Sequence, residues 1–582
     1  MVADELDPAP EVAPPAQRML ILTLCALGIG GAASLAAIAL IEAVEWLNRV
    51  LLIAPRARVQ YEDARMIVPL ATVCVPAIGG LIVALMLRYL SPLGRPLGPP
   101  AVIQSVQFET PLPDLRSGLT STLAAMVSMG FGASVGQYGP MVYLGAMLGG
   151  VVRRLRLGVP NLPAIAVACG VAAAISTAFN APIAGLVFAH EVVLRHYSTQ
   201  AFAPTTISAV TGYVLANVIF ERPALFLVQF EGVQHGHEFL LFGALGVLCA
   251  GLAIVFMRLV LRMTAMAGQM GIPQMLRPAA AGLALGLTAL WLPDVLGVGK
   301  EALRFATIED AFGAGELAVL IAAKIALTAL CIGFGFAGGV FSPALLIGIL
   351  FGALFWTAID GTGALSTSGI AVYAICGMMA LASPVIGAPL TTILIVFELT
   401  RNYDITIAAM VAVVFSNLVA HRMFGRSLFD VQLAGRGIDL SAGRDQARLD
   451  RLRVADLASR DHVAVRVDEP LADALARLRA SDWLVGFATD ADGVYRGLLR
   501  EPDAVAARDG EIAALLRTGG LAFDAGTTVL EAMRGLEGFV GDAVPVVDRE
   551  TGRLLGVVTE AAIVNAYLET ARALREEENA AL

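Results

Sequence analysis

The chain has 582 residues, of which 57% are hydrophobic and 15% are charged, and its mean hydropathy is +0.75. This composition excludes an ordinary soluble enzyme and predicts a polytopic α-helical membrane protein in a lipid bilayer. The formal net charge of −9 says little about partners, and no stretch of the sequence is basic enough to predict a nucleic-acid surface. The six cysteines lie singly within apolar segments, so neither a disulfide framework nor a metal site is expected.

Residues 1–17 are rich in proline and acidic side chains. They are predicted to form a disordered cytoplasmic tail, because such a composition does not bury enough apolar surface to fold. Apolar helices are predicted from Met19 to Trp46 and from Ile67 to Tyr89. Residues 94–103 contain too much proline and glycine to be helical throughout, so they predict a break followed by a helix that starts near Pro100.

The stretch from Gly130 to Gly149 is a glycine-rich break within apolar sequence, and a near copy of it runs from Gly333 to Gly352. At an offset of 203 positions, seven glycine, phenylalanine and proline residues of the first copy coincide with the same residue types in the second. In each copy the glycine-rich break is closed by a proline, Pro140 or Pro343, and proline suits the first position of a helix. Helix amino ends carry free N–H groups and positive partial charge, so both breaks are expected to attract an anion at membrane depth.

A second pair of similar blocks strengthens the evidence for duplication. Cys169 to Glu191 matches Cys376 to Glu398 at an offset of 207. The membrane domain, residues 18–436, is therefore predicted to consist of two repeat halves, about 18–220 and 238–436. An inverted arrangement of the halves is favoured, because it brings equivalent breaks together at the bilayer midplane.

The remaining apolar segments are rich in small residues, which suits close helix packing. Lys324 lies inside one of them, where it either lines an anion route or is paired or snorkelled as a structural group. The helices are expected at about 202–220, 238–263, 278–292, 317–332, 370–396 and 405–422.

From residue 437 onwards charged residues become dense, which predicts a linker over 437–452 and a soluble domain over 453–582. The apolar pattern there changes to short alternating runs that form two successive β-α-β-β units. The predicted strands are Val463–Val467, Leu484–Thr489 and Val494–Leu499 in the first unit, and Leu521–Asp524, Ala543–Val547 and Leu554–Val558 in the second.

These blocks resemble the CLC family of chloride channels and proton/chloride exchangers, and the soluble domain resembles a tandem pair of CBS domains. The resemblance rests on Gly136–Pro140, Phe179–Gly185, Gly338–Pro343 and the pattern from Ala543 to Glu560. It implies a homodimer with one anion pathway per subunit, no enzymatic activity, and chloride or a similar small anion as the transported partner. It also implies a bacterial-type inner or plasma membrane with both termini in the cytoplasm.

The resemblance assigns roles to individual residues by position. The backbone N–H groups of Val340 and Phe341 would hold a dehydrated anion. Leu97 stands where the family often has a serine, and Phe429 stands where a tyrosine hydroxyl usually closes the inner side of the site. The expected anion-binding residues are Val340, Phe341, Gly339, Tyr138, Leu97, Gly98 and Phe429.

Tyr138 decides the predicted mechanism. Most of the family has a glutamate at this position, which competes with the anion and carries the proton, whereas a phenol with a pKa near 10 stays neutral. The family's inner proton-carrying glutamate is replaced by Val192, while Glu191 and Glu398 are interpreted as structural caps. We therefore expect passive, proton-uncoupled anion movement, and the alternative is a coupled exchanger whose acids have been relocated. The gate and selectivity residues are Tyr138, Gln137, Gly136, Gly139 and Pro140.

The soluble domain has a separate candidate site. Thr559 and Glu560 lie where CBS pairs often contact a ribose, which predicts binding of ATP or AMP, and Arg500 and Glu501 occupy the equivalent place in the first unit. A dimerising scaffold without a ligand is the alternative. No other cofactor is expected.

Overall fold

The structure is a computed structural model that describes residues 14–53, 66–155, 157–221, 226, 232–363, 365–507 and 510–579. The chain divides into two compact units, one of residues 1–437 with 578–582 and the other of residues 438–577. Residues 1–13 of the predicted tail lie outside the described residues.

The first unit is helical. Over the described part of the chain, eight helices are long and apolar enough to cross a membrane, and shorter apolar helices lie between them. The predicted class, a polytopic α-helical membrane protein, is confirmed. In chain order the helices are α1 (Pro15–Val50), α2 (Ile67–Leu90), α3 (Pro99–Gln107), α4 (Leu115–Gly130), α5 (Tyr138–Gly150), α6 (Leu162–Phe179), α7 (Pro182–Phe188), α8 (Thr199–Tyr213), α9 (Glu238–Gln269), α10 (Arg277–Thr288), α11 (Lys300–Phe305), α12 (Ala314–Gly333), α13 (Phe341–Asp360), α14 (Ile370–Ile386), α15 (Pro389–Thr400), α16 (Tyr403–Met423) and α17 (Leu428–Ala434).

Helix α1 begins at Pro15, four residues before the predicted start at Met19. Proline at the first helical position needs no N–H partner, so the proline-rich sequence ends where the helix starts. The last residues of the predicted disordered tail are therefore helical.

The two helices that follow the glycine-rich breaks start earlier than predicted. Helix α5 begins at Tyr138 and α13 at Phe341, so Pro140 and Pro343 each occupy the third helical position and not the first. Proline is tolerated there because the first four N–H groups of a helix have no intrahelical partner. The consequence is that Tyr138 and Phe341 themselves form the helix starts.

The apolar run 370–396, predicted as one helix, is two. Helix α14 ends at Ile386, Gly387 takes a φ of +72°, and α15 begins at Pro389. The first half has the same break between α6 and α7, where Asn180 has a φ of +54°. Hydropathy alone hides such breaks, because the residues around them stay apolar.

Glycines at helix crossings bring the two halves to the same packing. A Cβ atom added at Gly145 of α5 would lie 2.2 Å from the carbonyl oxygen of Gly170 in α6. A Cβ atom at Gly348 of α13 would lie 2.5 Å from the carbonyl oxygen of Gly377 in α14. These contacts are related by the two repeat offsets, so the same close backbone approach places α5 and α13 in both halves.

The second unit contains two three-stranded sheets of the same topology. In the first, β1 (Val463–Arg466) is parallel to β2 (Val485–Thr489), which is antiparallel to β3 (Tyr495–Arg500). In the second, β4 (Phe523–Asp524), β5 (Ala543–Val547) and β6 (Leu554–Thr559) repeat that order. The two predicted β-α-β-β units are confirmed, with strand ends shifted by one or two residues. The helices of this unit are α18 (Arg444–Leu449), α19 (Val454–Leu457), α20 (Leu471–Arg479), α21 (Glu501–Ala507), α22 (Ile512–Leu515), α23 (Val529–Gly535) and α24 (Glu560–Asn579).

Candidate anion pathway

The two glycine-rich breaks are bonded directly to each other. The N–H of Gly136 donates to the carbonyl oxygen of Gly339 over 2.7 Å, and the N–H of Gly339 donates to that of Gly136 over 2.8 Å. Gly339 is the repeat equivalent of Gly136 at the offset of 203. A residue that pairs antiparallel with its own equivalent lies on a local two-fold axis, so the amino ends of α5 and α13 meet at the centre of an inverted repeat.

Helix α3 brings a third helix start to the same place. A Cβ atom at Gly139 would lie 3.1 Å from Cα of Gly339 and 3.6 Å from Cδ of Pro99, the first residue of α3. Three breaks that the sequence separates by tens to hundreds of residues therefore converge, and glycine is needed where their backbones touch.

The start of α13 leaves backbone donors available. Within the described part of the chain, no acceptor is hydrogen-bonded to the N–H groups of Val340 and Phe341. The N–H of Gly339, in contrast, is engaged with Gly136 and is not free to donate to an anion. The hydroxyl of Ser342 accepts from the N–H of Gln137 over 3.2 Å, which ties the two helix starts together once more. A positive helix end with two free N–H groups is suited to hold an anion.

The other side of this centre, at α3, offers few donors. The N–H of Leu97 donates to the hydroxyl of Ser121 over 2.7 Å, and that hydroxyl donates to the carbonyl oxygen of Leu97 over 3.3 Å. Gly98 caps α3 and is followed by Pro99 and Pro100, which have no N–H. Among the described residues, Ser121 supplies the hydroxyl that is hydrogen-bonded to Leu97. It was not identified from the sequence, and it is occupied by the backbone.

Helix α17 places Phe429 close to this segment. Its side chain is buried, and its helix packs against α3 and α14. Phe429 and Leu97 are both apolar, so they contribute no hydroxyl to the pathway.

Three buried aromatic rings cluster at the helix starts. The ring of Tyr138 is stacked on that of Phe179, with centroids 4.1 Å apart and planes inclined by 22°. The ring of Phe341 lies 5.2 Å from Tyr138 and 5.6 Å from Phe179. Phe179 belongs to a motif quoted from the sequence, but the sequence did not identify it as a partner of Tyr138. We call these three residues the aromatic cluster.

A cavity of about 530 Å³ reaches the aromatic cluster. Tyr138 and Phe179 line it together with Gln137 and Asn180, whereas the described residues Val340 and Phe341 do not. Both acidic and basic side chains line it, and Nζ of Lys300 lies 2.6 Å from a carboxylate oxygen of Glu45. The charged lining residues are Glu42, Glu45, Arg49, Asp294, Lys300, Glu301 and Arg304.

Glu191 and Glu398 cap helix starts, as predicted. The carboxylate of Glu191 accepts from the N–H groups of Leu390 and Thr391 over 2.9 and 2.8 Å, at the start of α15. The carboxylate of Glu398 accepts from those of Ile183 and Ala184 over 2.9 and 2.8 Å, at the start of α7. Each carboxylate thus supplies acceptors for N–H groups that a helix start leaves without an intrahelical partner.

Val192 follows Glu191 within the short π-helix Ala189–Leu194, and its side chain is buried. It offers no titratable group.

Lys324 is paired with the backbone. Its Nζ donates to the carbonyl oxygens of Val295 and Gly297 over 2.9 and 3.0 Å, and its side chain is fully buried in α12. The N–H of Gly297 in turn donates to Gly132 in the first glycine-rich break over 2.8 Å. Of the two interpretations left open by the sequence, structural pairing is the one that the contacts support.

In the second unit, Thr559 ends β6 and Glu560 begins α24. The hydroxyl oxygen of Thr559 accepts from the N–H of Ala562 over 3.1 Å, so it caps the helix and can still donate its own proton. Arg500 and Glu501 hold the equivalent place at the junction of β3 and α21.

Comparison with known proteins gives consistent results. A family model described as "Voltage gated chloride channel" matches residues 79–421, and a CBS domain model matches residues 516–569. The chain is 32% identical over 414 residues to the "Putative chloride channel protein ClcB-like" of Ralstonia nicotianae, covering 70% of this chain and 95% of that protein. It is 28% identical over 430 residues to the "H(+)/Cl(-) exchange transporter ClcA" of Cronobacter sakazakii, covering 72% of this chain and 90% of that protein.

Two solved structures show the same fold as the chain. A crystal structure of a eukaryotic CLC transporter matches with a TM-score of 0.63 at 19% identity, covering 94% of this chain and 98% of that one. A structure of a slow cyanobacterial Cl−/H+ antiporter matches with a TM-score of 0.62 at 21% identity, covering 71% of this chain and 97% of that one.

Proposed function

Because this chain belongs to the voltage-gated chloride channel (CLC) family, we propose that it moves chloride or a similar small anion across the bilayer passively, without coupling to protons. The observation that carries the proposal is the side chain at the first position of α5. Tyr138 stands there in place of a carboxylate, at the point where the paired glycine-rich breaks meet.

The free N–H groups of Val340 and Phe341 support the anion site. A dehydrated anion needs replacement of its water by fixed dipoles, and two amides at a helix amino end supply them without moving. Gln137, Gly136, Gly139 and Pro140 shape the opposite helix start and orient Tyr138, so we assign them to the gate and selectivity region.

The uncoupled mechanism follows from the ionisable groups nearby. A buried phenol does not release its proton at neutral pH, and Val192 has no proton to exchange. Glu191 and Glu398, the matched acids of the two repeat blocks, are held by backbone N–H groups and act as caps.

The runner-up is a proton-coupled chloride exchanger with relocated acids. Relatives whose names describe proton/chloride exchange support this alternative. The acids would then have to be among those that line the cavity next to Tyr138, namely Glu42, Glu45, Asp294 or Glu301.

Flux measurements in liposomes separate the two functions. Purified protein would be reconstituted with an internal pH dye, and a chloride gradient would be applied with the membrane potential clamped by potassium and valinomycin. We expect rapid chloride flux with no movement of protons against their gradient. Proton uptake in fixed ratio to chloride would contradict the proposal. In that case the variants Glu45→Gln and Glu301→Gln would identify the relocated acid.

Assembly and location follow the family. We propose a homodimer with one anion pathway per subunit, in a bacterial-type inner or plasma membrane with both termini in the cytoplasm. Chemical cross-linking in native membranes, together with protease accessibility of the second unit from each side, tests both statements.

For the second unit we propose an adenine nucleotide site at the CBS pair, with Thr559 and Glu560 as ribose contacts. The free hydroxyl proton of Thr559 and the exposed carboxylate of Glu560 support it. Calorimetric titration of the full chain with ATP and AMP tests the site, with Thr559→Val as the matched variant. The absence of heat with both nucleotides would favour a dimerising scaffold.

A further inference from the structure

We infer that Phe179 is a positioning residue that holds Tyr138 across the anion pathway, so that conduction requires the two rings to separate. This inference rests on the proposed function in that the pathway must carry an anion, but it does not depend on whether the transport is coupled to protons. It makes the gate an aromatic stack and not a titrating acid.

The packing of the aromatic cluster leaves no gap between the two stacked rings. At a centroid separation of 4.1 Å and an inclination of 22°, the rings of Tyr138 and Phe179 are in van der Waals contact. Phe341 closes the third side, with its ring centroid 5.2 Å from that of Tyr138. The three residues are 2–5% exposed, so little of the cluster is accessible to water.

The cluster lies between the cavity and the backbone donors. Tyr138 and Phe179 line the cavity, whereas Val340 and Phe341, which carry the free N–H groups, do not. Since the ring of Phe341 contacts both other rings, an anion that enters from the cavity meets the stack before it meets the amides.

The backbones that carry these two rings are fixed. Tyr138 follows the Gly136–Gly339 pair, which is held by two hydrogen bonds. Phe179 is the last residue of α6, and the chain then turns through Asn180 at a φ of +54°, with the N–H of Ala181 bonded to Ser176 over 3.2 Å. Movement of the whole helix ends would break these contacts. Opening is therefore a rotation of the Tyr138 side chain, and the cavity supplies the volume that the ring enters.

This arrangement gives Phe179 a function that is distinct from core packing. A core residue contributes stability, and its loss reduces the amount of active protein. A residue that holds a gate closed contributes to the closed state in particular, so its loss increases flux per folded molecule. Aromatic stacking carries an interaction that corresponds to about 2- to 10-fold in an equilibrium constant.

The experiment measures initial chloride flux per reconstituted protein for Phe179→Leu, Phe179→Tyr and the control Phe256→Leu. Phe256 is a fully buried phenylalanine on α9 that lies outside the aromatic cluster. We expect about a 2- to 10-fold increase for Phe179→Leu. Phe179→Tyr keeps the stack, so its flux should equal that of the wild type. The flux of Phe256→Leu should not exceed that of the wild type.

A second variant guards against misfolding of the first. Tyr138→Leu removes the same contact from the other side, and the double variant Tyr138→Leu/Phe179→Leu should gain no more than Tyr138→Leu alone, because Phe179 acts through the ring of Tyr138. An unchanged or reduced flux in both single variants, or additive gains in the double variant, would overturn the gate. Proton movement is recorded in the same liposomes. Proton coupling together with an increased flux would contradict the uncoupled mechanism and support the aromatic gate. Uncoupled flux without an increase would support the uncoupled mechanism and contradict the aromatic gate.

Discussion

Glu191 caps the helix that contains Glu398, and Glu398 caps the helix that leads to Glu191. The two residues are repeat equivalents at the offset of 207, so each half of the membrane unit supplies the carboxylate that completes the other half. This reciprocity accounts for both acids inside apolar sequence without giving either a proton to carry.

Replacing Glu191 with alanine should destabilise the protein without changing its coupling. Two N–H groups at the start of α15 would lose their acceptor, at a cost of roughly 1–3 kcal/mol. We expect a lower unfolding temperature in detergent and unchanged proton movement in the flux assay. Glu398→Ala should behave in the same way. A change in the ratio of protons to chloride in either variant would show that the carboxylate participates in transport.

Restoring an acid at the gate should restore pH dependence. In Tyr138→Glu an ionised carboxylate would occupy the helix start and compete with the anion, and protonation would release it. We therefore expect low flux at neutral pH that rises as the pH falls, measured as initial chloride efflux between pH 4.5 and 8. Tyr138→Gln is the control, because glutamine has nearly the same size as glutamate and does not titrate. Its flux should stay constant over that range. A flat profile for Tyr138→Glu would place Tyr138 outside the pathway.

Adding hydroxyl groups beside α3 should strengthen anion binding. Leu97→Ser and Phe429→Tyr each supply a donor where the described residues have none free, and one hydrogen bond contributes about 1 kcal/mol, or roughly fivefold in affinity. Chloride titration by calorimetry measures the effect, with Leu97→Ala as the control for side-chain size. Equal affinity in Leu97→Ser and Leu97→Ala would show that this residue does not face the anion.

The second unit should lose stability in acid through Glu577. Its carboxylate in α24 is paired with Arg448 over 2.5 Å and with Arg444, both in α18. Burial raises the pKa of Glu577, but the two arginine charges outweigh this and hold the pKa below its usual value. A lowered folded-state pKa means that the stabilisation is complete above about pH 4.3, the unfolded value, and is lost as the pH falls through the folded value.

Glu577→Gln should accordingly lower the stability of the second unit at pH 7 by roughly 1–3 kcal/mol and make it less sensitive to acid. Thermal unfolding of the full chain at pH 7 and pH 4, followed by circular dichroism of the second unit's transition, measures both effects. Glu576→Gln, at an exposed position, is a neighbouring control on the same helix. Equal acid sensitivity in the wild type and Glu577→Gln would contradict the assignment.

Internal repetition made much of the membrane unit predictable. Equivalent glycines at a constant offset predicted that the two breaks meet, and the Gly136–Gly339 pair is that meeting. The capping of helix starts by Glu191 and Glu398 could be inferred in the same way, because a matched acid in both halves indicates a structural requirement.

Contacts between side chains from different helices were not predictable. The stack of Tyr138 on Phe179 depends on how α5 and α6 cross, and this crossing is set by Gly145 and Gly170 and not by the aromatic residues. The bond between Leu97 and Ser121 has the same origin, since no periodicity records which hydroxyl reaches a loop 24 residues away. The break at Gly387 was missed because the sequence on both sides is uniformly apolar.

The reciprocal bond between Gly136 and Gly339 constrains how the protein can work. If one half rocked against the other, as in transporters that expose a site alternately to each side, the N–H groups of the buried Gly136 and the half-buried Gly339 would lose their acceptors. This cost favours a transport cycle in which the two halves stay paired. If the ring of Tyr138 is the gate that we infer, each opening is a ring rotation, which takes far less time than the displacement of a domain.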